Sequence, residues 1–358
     1  MSSQDYTKLF YDLPQKDPFT DKLLSLCDCP TKQHTELSPY SRPYQFIALT
    51  PDGQLHSFLT KQSKPSLLRQ FYKSTLMKIF RYNLTSANAM SDCGEMFVMS
   101  EKGWRSILER GCMVDDETHQ WVRWMLREMD KDNEDTPQSQ CDDTQMEGSP
   151  RESHDADHPW IWIDCGSGDG SVLSRFLPQH ILSNNLIAIE VNPHMIQKLK
   201  SKRSIHKVLH FDDDLHGELS NVTNHVKMAS NRIVSLFNVL DRCYRPIQLL
   251  KDIHNLISQN NQFFIFSVVF PFGPFVENAD GSQDRPEEYL MPRFASFSHS
   301  AHYLLTVCLK DFEVLCWSRV PYCCQGDLYQ DYYALDSMVV CCRSRRRVGN
   351  GGEQSDDT

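Results

Sequence analysis

Trp160-Ile-Trp-Ile-Asp-Cys-Gly-Ser-Gly-Asp-Gly170 is the stretch on which the reading of this chain turns. Four apolar residues with the look of a buried strand run into an acid, and then into three glycines spaced two apart. Glycine lets the backbone turn tightly and come close to a ligand with no Cβ in the way. Ser171-Val-Leu-Ser-Arg-Phe-Leu follows with helical spacing, so the loop is expected to end at a helix N-terminus with free N–H groups. A strand, a glycine turn and a helix frame a nucleotide-type cofactor pocket. The G-x-G-x-x-G spacing of dinucleotide binders is absent, which argues against a dehydrogenase.

Downstream of that loop, strands and helices alternate. Candidate strands are Trp160–Cys165, Leu186–Val191, Lys207–Asp212, Arg232–Leu240 and Gln262–Phe270. Helix-compatible stretches lie between them at Val172–Leu182, Pro193–Lys202, Leu215–Val226 and Pro246–Ile257. This pattern predicts an α/β fold, a doubly wound Rossmann-like parallel sheet. A helix over His302–Leu309 and strands over Phe312–Val320 and Asp336–Cys342 would close it with an antiparallel hairpin.

Upstream, residues 1–59 are polar and Pro-interrupted and read as a loosely ordered lead-in. Residues 60–129 read as a helical cap. Leu68, Tyr72, Leu76, Ile79 and Phe80 share one helical face, Ser100 can cap a helix bearing Trp104, Ile107 and Leu108, and Trp121, Trp124, Met125 and Leu126 mark another. Residues 130–158 are acidic and poor in large apolar groups, and so read as a disordered insertion. Residues 159–342 form the catalytic domain and 343–358 a disordered tail.

At 358 residues and 40% hydrophobic, the chain can bury a large core. No apolar run reaches the roughly 20 residues of a membrane span. The start, Met1-Ser-Ser-Gln-Asp-Tyr, lacks a secretory leader, so an intracellular, cytoplasmic protein is expected. Thirteen cysteines without a Cys-x-x-Cys read as reduced thiols, and no ligand set suggests a metal requirement. The net charge of −10 is concentrated: residues 130–157 hold ten Asp/Glu and two Lys/Arg, a local −8 that leaves −2 for the rest. Nothing there marks a nucleic-acid surface.

Ligands of such a sheet bind beyond the C-terminal strand ends. The G-x-G-x-G spacing is the form usual in S-adenosylmethionine (SAM) methyltransferases, which assigns Asp164, Gly166, Gly168 and Gly170 to the cofactor. Glu190, about twenty residues on, can accept both ribose hydroxyls. One acid of the run Asp212, Asp213, Asp214 is expected at the adenine amino group, with Asp213 standing for the three. Asn238 and Asp241 break an apolar strand at its catalytic end, where polar groups are costly unless they meet a ligand or each other.

Together with the glycine loop, three blocks carry a resemblance. They are Phe237-Asn-Val-Leu-Asp-Arg-Cys243, Phe270-Pro-Phe-Gly-Pro-Phe-Val-Glu-Asn278, and Arg319-Val-Pro-Tyr322 followed by Gly326-Asp-Leu-Tyr-Gln-Asp-Tyr-Tyr-Ala-Leu-Asp336. Over roughly residues 45–342 the chain resembles the DREV family, methyltransferase-like proteins that modify the pros nitrogen of protein histidines. The resemblance implies a seven-stranded class I sheet, SAM as cofactor, and protein substrates carrying His-x-His. It also implies Asp241 as acceptor of the imidazole N–H, Asn238 between cofactor and target, and Tyr333 against the acceptor histidine. Glu277, Asn278 and Asp327 could shape the substrate groove, with their roles left open, and a monomer is expected. The acidic insertion, the missing leader and Gly273, where the family often has His, depart from the pattern. A small-molecule N-methyltransferase and a non-catalytic scaffold are the competing readings. None of the fourteen histidines lies in a His-x-His, so the chain holds no such motif of its own.

Overall fold

A computed structural model describes residues 11–14, 17, 19–27, 44–62, 66–134, 160–202, 205, 207–210, 231–258, 262–278, 280–326 and 330–345. Its centre is a mixed sheet. Five parallel strands run β3 (Ile161–Cys165), β4 (Leu186–Glu190), β5 (Lys207–His210), β6 (Arg232–Phe237) and β7 (Gln262–Phe270), in spatial order β5-β4-β3-β6-β7. The long hairpin of β10 (Phe312–Gln325) and β11 (Tyr332–Ser344) extends it antiparallel, with β11 next to β7. β6 is buried along its whole length, as expected of parallel strands covered on both faces. Successive strands move outward from β3 to β5 and then reverse to β6 and β7. The switch point therefore lies between β3 and β6.

The sheet has nine strands rather than seven. β1 (Gln45–Phe46) pairs parallel with β10, and β2 (Met96–Phe97) pairs antiparallel with its far end. Both come from residues N-terminal to the catalytic domain, and they pair the edge of a 14-residue strand. The lead-in assigned to 1–59 is thus partly structured. It supplies β1, α1 (Thr20–Cys27) and α2 (Gly53–Gln62), and buries Ile47, Leu55 and Phe58. A two-residue pair, β8 (Val276–Glu277) with β9 (Gln283–Asp284), follows β7.

The cap has two unlike halves. α5 (Glu101–Ile107) starts at Ser100, whose side chain accepts from Gly103 N, and runs into a π turn over Leu108–Cys112. With α6 (Asp116–Glu134) it sinks Trp104 and Trp121 completely into the sheet core, where Trp121 stacks on Phe263 at 4.5 Å. α6 also takes residues 130–134 from the expected insertion; 135–158 and 346–358 lie outside the described residues. In the same core the thiols of Cys112, Cys316 and Cys341 lie within 4.8 Å of one another. The other half is α3 (Leu67–Lys78) packed on α4 (Leu84–Ser91). Of the expected apolar face Leu68, Tyr72, Leu76, Ile79 and Phe80, only Leu76 is buried, and the rest face outward.

The helix expected over Val172–Leu182 is also revised. A 3₁₀ turn at Leu173–Arg175 is followed by α7 (Gln179–Asn184). Pro178 lacks an N–H and disfavours helical backbone in the residue before it, so the segment divides there. The glycine loop therefore opens into a turn, with no long helix N-terminus at its end. α8 (Pro193–Ser201) and α9 (Pro246–Leu256) match expectation, each with Pro in its first turn. α10 (Phe297–Tyr303) begins five residues before the expected His302, because Ser296 caps it. The expected helix Leu215–Val226 lies outside the described residues.

Candidate active site

The glycine loop after β3 is built as its spacing requires. Gly166, Gly168 and Gly170 all have positive φ (+74°, +57° and +76°), the region where side chains are strained. A Cβ on Gly166 would lie 2.5 Å from Val239 Cγ2, so the loop seats directly on the segment following β6. Among the described residues, a Cβ at Gly168 would meet only Met96 Cε, at 3.9 Å, which leaves the middle of the loop open on one side.

Around the loop the acids are pinned. Glu190, at the end of β4, accepts from Gly168 N at 2.7 Å through Oε2, and from Val191 N and Asn192 N at 2.9 Å through Oε1. Its burial raises the carboxyl pKa against the pull of those N–H groups. Asp164 accepts from Ser235 Oγ at 2.5 Å, and Ser235 Oγ accepts from Trp162 Nε1 at 2.7 Å. Burial moves the Asp164 carboxyl up to about 6 in spite of Ser235 and Ser167, with the Glu190 charge adding to the rise.

Across the switch point, β6 is followed by Asn238. It is non-glycine yet left-handed, at φ +55°, an uncommon conformation that its neighbours enforce. Asn238 N donates to Ser267 O at 3.1 Å, and Asn238 Oδ1 accepts from Ser267 Oγ at 3.0 Å. Three residues on, Asp241 is 5% exposed. Its Oδ2 lies 3.3 Å from Arg242 Nη1, while its buried Oδ1 has no hydrogen-bond partner among the described residues. Burial pushes its pKa up and Arg242 opposes the shift. Arg242 itself lies over the Phe275 ring at 3.8 Å, and Phe275 N donates to Asp241 O.

Tyr333 sits on β11 opposite Cys324, and Leu335 opposite Tyr322. Residues two apart share a face, so Tyr333 and Tyr322 look the same way from neighbouring strands. Tyr322 is partly buried; desolvation raises its pKa, and the Asp241 charge adds to the rise. Arg242 and Tyr322 are thus neighbours of Asp241 that single-residue reasoning passed over, although both stand inside the quoted motif blocks. Glu277 is occupied elsewhere: it accepts from Leu84 N and Thr85 Oγ1, both at 2.7 Å, clamping the start of α4 to the loop after β7. Asn278 bridges Tyr244, Ser282 and Asp284. Both residues tie this loop to its surroundings. Asp212, Asp213, Asp214 and Asp327 lie outside the described residues.

A doubly wound sheet in the order above, with an antiparallel hairpin at its edge and a glycine loop and an acid at the ends of β3 and β4, defines a class I SAM-dependent methyltransferase. The DREV methyltransferase profile matches residues 146–344, more than half of the chain. The protein belongs to the DREV methyltransferase family, and SAM is its methyl donor. Among solved structures it is similar to a SAM-dependent methyltransferase from Anabaena variabilis, at 12% identity over 52% of this chain and 77% of that one, with a TM-score of 0.36. It is also similar to the N-methyltransferase NodS from Bradyrhizobium japonicum in complex with S-adenosyl-L-homocysteine. That match has 12% identity over 67% of this chain and 97% of that one, with a TM-score of 0.29. Among the described residues, no helix is long and apolar enough to cross a membrane.

Proposed function

We propose that this methyltransferase modifies the pros nitrogen of histidine in His-x-His segments of protein substrates. The observation that carries the reading is Asp241, just beyond β6: a buried carboxylate oxygen without a partner among the described residues. A lone pair held out of water without a donor is costly, so a donor arriving with the substrate would relieve it. A neutral imidazole offers one N–H and one lone-pair nitrogen. With its tele N–H on Asp241 Oδ1, the ring presents the pros lone pair, and the carboxylate stabilises the cation that forms as the methyl arrives.

The open loop at Gly166–Gly170 and the Glu190 carboxylate fit the cofactor: the loop leaves room for an approaching ligand, and Glu190 keeps lone pairs beyond those used by the backbone. Asp164, Asn238 and one acid of Asp212–Asp214, Asp213 among them, complete the proposed cofactor contacts. SAM, when bound, supplies a methyl on a positively charged sulfur, and displacement from it depends chiefly on alignment. In this reading Asn238 holds the switch-point backbone between donor and acceptor, Tyr333 packs against the acceptor ring, and the cap of residues 60–129 joins the catalytic unit of 159–342. The test is mass spectrometry of a His-x-His peptide after incubation with enzyme and labelled SAM, resolving the ring nitrogen modified. A pros-methylated product is expected. Tele-methylation, or methylation of small amines with none on the peptide, would overturn the assignment.

A further inference from the structure

α3 turns its apolar side to solvent. Leu67, Leu68, Phe71, Tyr72, Ile79 and Phe80 are between 47% and 82% exposed. At 3.6 residues per turn, the first five fall within an arc of about 140°. The helix is held that way round: Gln70 and Leu76 on its other side are buried, and Gln70 Nε2 donates to Gly326 O at the tip of the β10–β11 hairpin, 3.2 Å away.

Charge sets this region apart as well. Between Asp52 and Asp92 there are six Lys/Arg and no Asp or Glu, in a chain whose net charge is −10. Arg69, Lys78 and Arg81 are exposed: Lys78 lies within the apolar arc on the last turn, Arg69 beside it, and Arg81 just past the helix end. An apolar arc on a convex helix, flanked by cations, is the pattern of a helix lying in a bilayer interface. A peptide partner would instead call for a groove between elements, with edges to close round it.

We propose that this face docks on anionic membrane surfaces, with α3 lying in the headgroup region. The aromatic and aliphatic side chains enter the acyl boundary, while Arg69, Lys78 and Arg81 meet lipid phosphates and carboxylates. The contact is peripheral and independent of the acceptor assignment above. Attraction of such cations to an anionic surface is screened by salt, which makes the binding salt-sensitive.

Co-sedimentation of the full chain with phosphatidylcholine vesicles, with and without about 30% phosphatidylserine, tests it. Binding is expected to the anionic vesicles only, and to weaken at least about tenfold in high salt. Two double variants separate the terms. Phe71→Glu with Ile79→Glu is expected to abolish vesicle binding, and Arg69→Glu with Lys78→Glu to remove the preference for anionic lipid. Both should keep the wild-type melting temperature and SAM affinity, since the altered side chains are exposed. If the apolar variant fails to fold, the charge variant alone decides. Absence of vesicle binding by the wild type overturns the proposal. So does binding unchanged in a folded variant, or an effect of the variants confined to self-association or to kcat/KM on a protein substrate.

Discussion

The two segments that meet at the switch point, β3 with its glycine loop and the stretch after β6, each carry a buried acid, and the acids are in opposite circumstances. Asp164, in the glycine loop's strand, is 4% exposed and has a serine hydroxyl on Oδ1 at 2.5 Å. Asp241, beyond β6, is 5% exposed, and its Oδ1 meets no donor among the described residues. Equal burial therefore does not mean equal role. A carboxylate oxygen already met by the fold is held in place whether or not its residue also borders the proposed cofactor, whereas a buried one without a donor among the described residues suits a group brought by a ligand. The difference predicts that removing charge from the first acts on stability, and from the second on turnover.

Asp241→Asn is the strongest way to break that contrast. The amide keeps the shape and can still accept one hydrogen bond, but it brings no negative charge to the developing imidazolium. We expect turnover on a His-x-His peptide to fall on the order of 10²–10³-fold, with SAM affinity measured by calorimetry unchanged. Near-normal turnover would remove Asp241 from the chemistry. The loss should also appear as a pH effect in the wild type. Because burial raises the Asp241 pKa, its protonation on acidification begins above the ordinary carboxylate range, and the rate falls as the proton is taken up.

Where the two loops touch, Gly166→Ala tests whether they act as one body. The new Cβ would lie 2.5 Å from Val239 Cγ2 at a φ of +74°. Left-handed strain and overpacking together should cost about 2–3 kcal/mol by chemical denaturation, with SAM affinity falling in parallel. A variant of wild-type stability would mean that the loops move independently.

Much of this arrangement is written in the chain, and what is not has physical reasons. Strands buried on both faces read as continuous apolar runs, so Gln262–Phe270 is the observed β7 residue for residue. Asn238 and Asp241 stand out because a polar group ending such a run needs a partner. Two-residue strands such as β1 and β2 have no period to detect, so the wider sheet was not legible. α3 shows the converse limit. Its spacing correctly marks an amphipathic helix, but spacing carries no information about which side meets the core, and here the buried side holds Gln70 and Leu76. Nor could spacing reveal that Ser235, an unremarked residue inside β6, satisfies the acid of the neighbouring strand.

That serine underlies the smallest effect and the finest test of the contrast. Asp164→Asn keeps an acceptor for Ser235 Oγ while removing a buried charge. The folded carboxyl titrates at about 6, above its ordinary value of 3.8, so the folded state holds the proton more tightly than the unfolded one. Stability from this group is then fully present below the ordinary carboxylate pKa and declines as pH rises through about 6. At neutral pH the wild type carries that deficit and the amide does not. The variant should be more stable by about 1–3 kcal/mol at pH 7, with the gap closing as pH falls from about 6 toward 4. Thermal unfolding across that range reads it directly. A gap independent of pH would show that Asp164 is ionised at no cost, and would place the two acids in the same class after all.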